Sequence, residues 1–216
     1  MEISFISMWL FGFLLGVKHS LEPDHVIAVS NIASETKTLR RSSLTGVSWG
    51  VGHTLTLLCV GLTVIVLKVE IVEVWAMSFE FLVGVMLIYL GVKGMFGYRK
   101  IHMHGEKGKA SSPVFIKPLI IGFVHGLAGS ATMVLLTAST VSSLWEGVIY
   151  ILVFGLGTIV GMLLFTTIIG VPFVLSAGRN RLNDTLTKMT GLISTGFGFY
   201  YVYNLGINEG LFTLWL

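Results

Sequence analysis

Apolar residues along the chain fall into blocks of roughly 20, the length an α-helix needs to cross a bilayer core. Six such blocks can be read, over residues 4–33, 43–67, 76–97, 117–141, 147–177 and 188–207. Four are continuous. The first is interrupted by a polar run from Lys18 to His25, and the fourth by the glycine-serine weak point Gly126-Leu-Ala-Gly129-Ser130. Between the third and fourth lies one sizeable polar stretch, Tyr98 to Lys117, too short to be a domain. The pattern predicts an all-α integral membrane protein of about six transmembrane helices, with helices 1 and 4 broken. It divides into a three-span half over 1–98, a loop over 99–116 and a second three-span half over 117–216.

The two halves share short motifs. Gly16-Val-Lys-His19-Ser-Leu in span one matches Gly122-Phe-Val-His125-Gly-Leu in span four, and Gly50-Val-Gly52-His53-Thr in span two aligns with Gly155-Leu-Gly157-Thr158 in span five. Chance matching between glycine-rich apolar helices is the alternative. If the repeat is genuine, each unit has three spans and the second is inverted relative to the first, an architecture of secondary transporters. The Gly-x-x-x-Gly pairs Gly12/Gly16, Gly46/Gly50, Gly122/Gly126 and Gly157/Gly161 are expected to be helix-packing surfaces.

Composition supports membrane residence. Apolar residues make up 54% of the 216 and charged residues only 12%, about half the share of a soluble domain. The mean hydropathy of +0.86 leaves too few polar side chains to cover a water-facing surface. The formal charge of +3 reads as topology. Of the 14 basic residues, 12 lie in or beside the loops between spans one and two, three and four, and five and six. The positive-inside rule puts those loops in the cytoplasm and both termini outside a cytoplasmic membrane, with no need for a nucleic-acid partner. Met1-Glu2 begins the chain without a basic n-region or cleavage site, so the first block reads as a retained span. One cysteine, Cys59, excludes an intrachain thiol–disulfide carrier, which needs a pair.

The polar residues inside spans carry the chemistry. Span one contains Lys18-His19-Ser20-Leu21-Glu22-Pro23-Asp24-His25. Charged groups near a bilayer centre each cost about 2.5–3.5 kcal/mol on the insertion scale, so they call for a role or a water-filled cavity. Pro23 lacks an amide hydrogen and disfavours helical geometry at Glu22, so the helix should break there. On an unbroken helix His19 and His25 would point about 120° apart, and the break is what lets them converge. Two imidazoles and a carboxylate suit a borderline divalent cation such as nickel, copper, zinc or iron. His53 in span two and His125 in span four offer further nitrogens, although a span histidine alone also serves as a helix–helix hydrogen bonder. Lys18 and Glu22 stand at i, i+4 and are expected to pair. His102 and His104 in the polar loop are candidate metal-capturing residues or simply solvated ones.

The run His19-x-x-x-x-Asp24-His25 resembles the signature of the nickel/cobalt permeases. Its wider context, Gly16-Val-Lys-His19-Ser-Leu-Glu22-Pro23-Asp24-His25-Val-Ile-Ala-Val-Ser, resembles the urease-accessory-type nickel transporter branch. Trp49-Gly-Val-Gly-His53-Thr and His125-Gly-Leu-Ala-Gly-Ser130 resemble that branch's motifs in spans two and four. The resemblance implies metal recognition by His19, Asp24 and His25, with His53 and His125 contributing. Two features depart from the wider family: larger members have eight spans, and efflux members carry a long histidine-rich loop.

The expectation is a permease, not an enzyme, moving Ni²⁺ or Co²⁺ by alternating access. The metal is its substrate, and no prosthetic group is implied. Its other partner is the lipid bilayer, and self-association or further subunits stay open. A metal sensor or transporter subunit, metal efflux, and a membrane metalloenzyme are the alternatives.

Overall fold

A computed structural model describes the backbone of residues 5–68, 71–103, 115–140 and 143–216. It describes the side chains of residues 7–68, 71–96, 115–129, 143–179 and 181–216. Every regular element among them is helical: α1 (Phe5–His19), α2 (Pro23–Ser34), α3 (Leu39–Leu67), α4 (Glu73–Met103), α5 (Ile116–Thr140), α6 (Leu144–Ser176) and α7 (Asn180–Tyr203). A π-helical turn over Asn204–Asn208 and the short α8 (Leu211–Trp215) follow. Three described helical segments, Leu39–Leu67, Glu73–Phe96 and Leu144–Ser176, are long and apolar enough to cross a membrane, and Ile116–Gly129 is a shorter apolar segment.

The first apolar block is broken where the sequence requires it. Glu22 is extended (φ −63°, ψ 144°) and Pro23 opens α2 at a position whose N–H would be unused in any case. The intervening turn is closed by the amides of Leu21 and Glu22, which donate to the carbonyls of Lys18 (3.0 Å) and His19 (3.1 Å). Proline alone does not force such a break, because Pro172 sits inside the continuous helix α6. The expected break in span four is absent: α5 runs unbroken through Gly126, Gly129 and Ser130. Glycine and serine lower helix propensity but keep their amide hydrogens, so the backbone ladder survives there. The last span starts earlier than its apolar window, at Asn180, because the first turns of α7 are amphipathic.

Helix α3 lies between α5 and α6; α1 packs on α6, α4 on α7, and α2 fits among α4, α6 and α7. The closest approaches come in matched sets. A Cβ on Gly16 of α1 would collide with the Phe154 carbonyl of α6, and one on Gly122 of α5 with the Trp49 carbonyl of α3. Gly157 of α6 meets the Phe13 carbonyl of α1 in the same way, and Gly52 of α3 meets that of Leu119 of α5. All eight glycines of the four Gly-x-x-x-Gly pairs face another helix within contact distance of a Cβ.

The distribution of side chains is inside out relative to a water-soluble fold. Large apolar residues such as Leu175, Trp145, Phe96 and Ile168 are exposed on the outer surface, whereas His25, His53, His125, Ser20, Thr56 and Thr158 are buried. Several buried hydroxyls bridge helices by donating to carbonyls across an interface: Ser42 to Thr166 (2.8 Å), Thr56 to Phe123 (2.8 Å) and Ser194 to Leu87 (2.8 Å). Such bonds hold helices together where apolar contacts with lipid and with protein are equivalent.

Candidate metal centre

The break between α1 and α2 places His19 at the end of one helix and Asp24 and His25 in the first turn of the next. Opposite them stand His53, midway along α3, and His125 of α5. These five residues form one connected cluster. His19 Nε2 and His53 Nε2 are 3.2 Å apart. The Asp24 carboxylate accepts from His25 Nδ1 through Oδ1 (3.0 Å) and from His125 Nε2 through Oδ2 (2.7 Å). Glu22 Oε1 lies 3.0 Å from His19 Nδ1. The Lys18–Glu22 pair expected from the sequence is absent, because residues 20–22 are not helical and i, i+4 no longer brings the two together.

Each contact fixes a ring. A carboxylate only accepts hydrogen bonds, so the Nδ1 atoms of His19 and His25 carry protons and their Nε2 atoms present lone pairs. His25 Nε2 is buried without a hydrogen-bond partner, as are His53 Nδ1 and His125 Nδ1. Ligand atoms of His19, His25 and His53 all lie within 4.8 Å of one another, and those of Asp24, His25 and His125 form a second such group sharing His25. At a metal–nitrogen distance of about 2.1 Å, the observed 3.2 Å between His19 and His53 corresponds to roughly 100° at the ion. That is close to the tetrahedral and octahedral angles alike, so the pair suits a first-row divalent cation and not one geometry alone.

Trp49 holds the cluster from one side. Its ring stacks on His53 (centroids 5.0 Å apart, 9° between planes) and meets His25 and His125 edge-on at 4.8 and 5.2 Å. Phe154 packs against His19 at 5.3 Å. Phe154 was not singled out in the sequence, and Trp49, which opens the span-two motif one helical turn before His53, was given no role there. The cluster faces a cavity of about 240 Å³, whose wall also includes Glu80 of α4 and Tyr201 of α7. Glu80 too was missed; an acidic residue within an apolar block, Ser78-Phe-Glu80-Phe-Leu, was the available signal. His102 and His104 lie outside the residues whose side chains are described.

Apolar outer surfaces around a buried, histidine-rich site facing a cavity define an α-helical membrane protein with a polar centre inside its helix bundle. Residues 25–200 match the family described as the cytochrome C biogenesis protein transmembrane region. The chain is 51% identical to the urease accessory protein UreH of a Bacillus species, over 100% of its own length and 99% of that protein's. It is 28% identical to the chloroplast protein FOR GROWTH AND FERTILITY 2 of Arabidopsis thaliana, over 89% of this chain and 55% of that one. A protein of Methanocaldococcus jannaschii named "Putative nickel/cobalt efflux system" is 27% identical over 88% of this chain and 90% of its own. No solved structure matches the chain. The protein thus belongs to the cytochrome C biogenesis transmembrane-region family, and UreH is a full-length relative. Its one cysteine, Cys59, is exposed, so no intrachain disulfide chemistry accompanies the membership.

Proposed function

We propose that the protein is a secondary transporter that carries Ni²⁺, or Co²⁺, across the cytoplasmic membrane. The observation that carries this reading is the convergence of three imidazoles, from His19, His25 and His53, two of which, His19 and His25, line a cavity in the helix bundle. The Asp24 carboxylate and His125 stand directly behind them. Nitrogen-rich donor sets favour nickel, cobalt, zinc and copper over magnesium and calcium. The name of the archaeal relative, "Putative nickel/cobalt efflux system", narrows that choice to nickel and cobalt.

The metal binds to neutral imidazoles in the cavity, sheds part of its water shell, and leaves on the other side after the two halves of the bundle rock against one another. The six-span, inverted-repeat architecture belongs to this proposal. Its support is reciprocal packing: Gly16 on Phe154 matches Gly122 on Trp49, and Gly157 on Phe13 matches Gly52 on Leu119. Each partner is displaced by 105 or 106 residues in sequence from its counterpart. The basic loops face the cytoplasm, and uptake is the direction favoured by the short polar loop.

The test is radioactive nickel flux into proteoliposomes holding the parent protein or the His19→Ala/Asp24→Ala/His25→Ala variant, with cobalt, zinc and manganese as competitors. Saturable flux lost in the variant supports the permease. Metal binding without flux in the parent shifts the reading to a sensor or a transporter subunit, and product formation by the purified protein would indicate an enzyme.

A further inference from the structure

Glu80 has no structural explanation among its neighbours. It lies in the first turns of α4, inside an apolar helix, and is partly buried. Among the described residues it makes no ion pair. Its single hydrogen bond, from the Tyr201 hydroxyl to Oε2, is long at 3.4 Å. Tyr201 is itself held by stacking on Phe197. A carboxylate inside a membrane span is costly unless a cation answers it, and among the described residues no cation forms an ion pair with Glu80.

What Glu80 does share is a cavity. The wall that carries His19, Asp24 and His25 also carries Glu22, Glu80 and Tyr201. The carboxylates of Glu22, Asp24 and Glu80 outnumber the one ammonium in that wall, from Lys18, so the cavity is a negative enclosure. Its volume of about 240 Å³ holds roughly eight waters, room for a cation that still carries a water shell. Glu80 near the start of α4 and Tyr201 near the end of α7 lie at the same end of the bundle. The basic residues Lys93, Arg179 and Arg181 belong to the opposite ends of these two helices.

We propose that Glu80, oriented by Tyr201, is a second cation subsite in this cavity: it captures the hydrated divalent metal and passes it to the imidazoles of His19, His25 and His53. This rests on the histidine cluster being the metal site. The asymmetry of donors explains the order of events. A carboxylate attracts a hydrated ion through its charge and through hydrogen bonds to the bound waters, whereas imidazole must displace those waters to bind. An oxygen station ahead of a nitrogen site therefore raises the rate of capture, and its charge adds to overall affinity through association while the ion's exit from the imidazoles is little changed.

Stopped-flow tryptophan fluorescence on the full chain in lipid nanodiscs, with Ni²⁺ alone as the probe, separates these steps, because Trp49 stacks on His53 and reports metal arrival there. The quench attributable to Trp49 is isolated by comparison with Trp49→Phe. Glu80→Gln keeps the shape of the side chain and removes its charge. It is expected to slow association about tenfold, at the lower end of electrostatic capture effects, with dissociation changed less than twofold. Tyr201→Phe is expected to slow association by a smaller factor in the same direction. Unchanged association in Glu80→Gln overturns the subsite, and so does a matching rise in dissociation, which would make Glu80 part of the histidine site. A parent protein with no nickel-dependent Trp49 quench would instead refute the histidine site itself, and the capture station with it.

Discussion

Replacing Asp24 by asparagine keeps the shape of the side chain and exchanges one acceptor oxygen for an amide donor. In the parent, both carboxylate oxygens are used: Oδ1 receives the Nδ1 proton of His25 at 3.0 Å and Oδ2 the Nε2 proton of His125 at 2.7 Å. An asparagine can accept from only one of them. The shorter bond to His125 should keep the oxygen, leaving the amide N–H₂ facing His25 Nδ1. His25 then relieves the donor–donor contact by moving its proton to Nε2, the atom that is free and buried in the parent. That proton blocks the lone pair a metal needs. The penalty for binding is about the strength of the lost charge-assisted bond, 1.5–3 kcal/mol, or about 10- to 150-fold in nickel affinity. The range agrees with the usual effect of removing an outer-sphere partner of a metal-bound histidine, about 10–100-fold. Isothermal titration of Ni²⁺ into the nanodisc-embedded protein measures it. A change of less than threefold would refute the tautomer argument. A loss beyond about a thousandfold would show Asp24 to be a direct ligand, drawing the ion into the group it forms with His25 and His125.

Three further outcomes follow from the packing and composition. Gly16→Ala and Gly122→Ala each drive a methyl group into a carbonyl of a facing helix, at a cost of about 1–3 kcal/mol, visible as a lower thermal midpoint in detergent. Gly196→Ala, on α7 with no atom within 4 Å of the added carbon, should be neutral or stabilising by up to about 1 kcal/mol; equal effects at Gly196 and Gly16 would refute the close-approach argument. Cys59→Ser, at an exposed position on α3, should leave nickel binding and flux unchanged, and loss of either would point to thiol chemistry.

Local chemistry explains what could be read in the chain before its fold was known. The break at Glu22-Pro23 was legible because a missing N–H and a restricted neighbour act on the residue itself. The supposed break at Gly126–Ser130 was not real, since those residues only weaken a helix that α3 then holds through contacts such as that of Gly126 with the His53 carbonyl. His19, Asp24 and His25 could be picked out as intramembrane polar residues. Their exchange of hydrogen bonds with His53 and His125 could not, because it depends on α3 and α5 lying opposite the break. Trp49 and Glu80 were visible as residues but not as neighbours of the site.

If the two three-span halves of the proposed architecture are genuine repeats, their motif correspondence also bears on why the site is one-sided. His19 and His125 occupy equivalent places in the two motifs, and so do His53 and Thr158. In the first half the pair is two imidazoles 3.2 Å apart. In the second half Thr158 turns its hydroxyl to the carbonyls of Gly16 (3.3 Å) and Phe154 (3.1 Å), so it fastens α6 to α1 and offers nothing to a cation. His125, left without an imidazole partner in its own half, donates instead to Asp24 across the bundle. Only the first half has the proline that frees a helix end, and only that half carries a carboxylate within the break. The shared glycines bring the backbones together. The residues that differ between the halves, Pro23, Asp24 and His53, turn one of the resulting helix crossings into a place where a metal can bind.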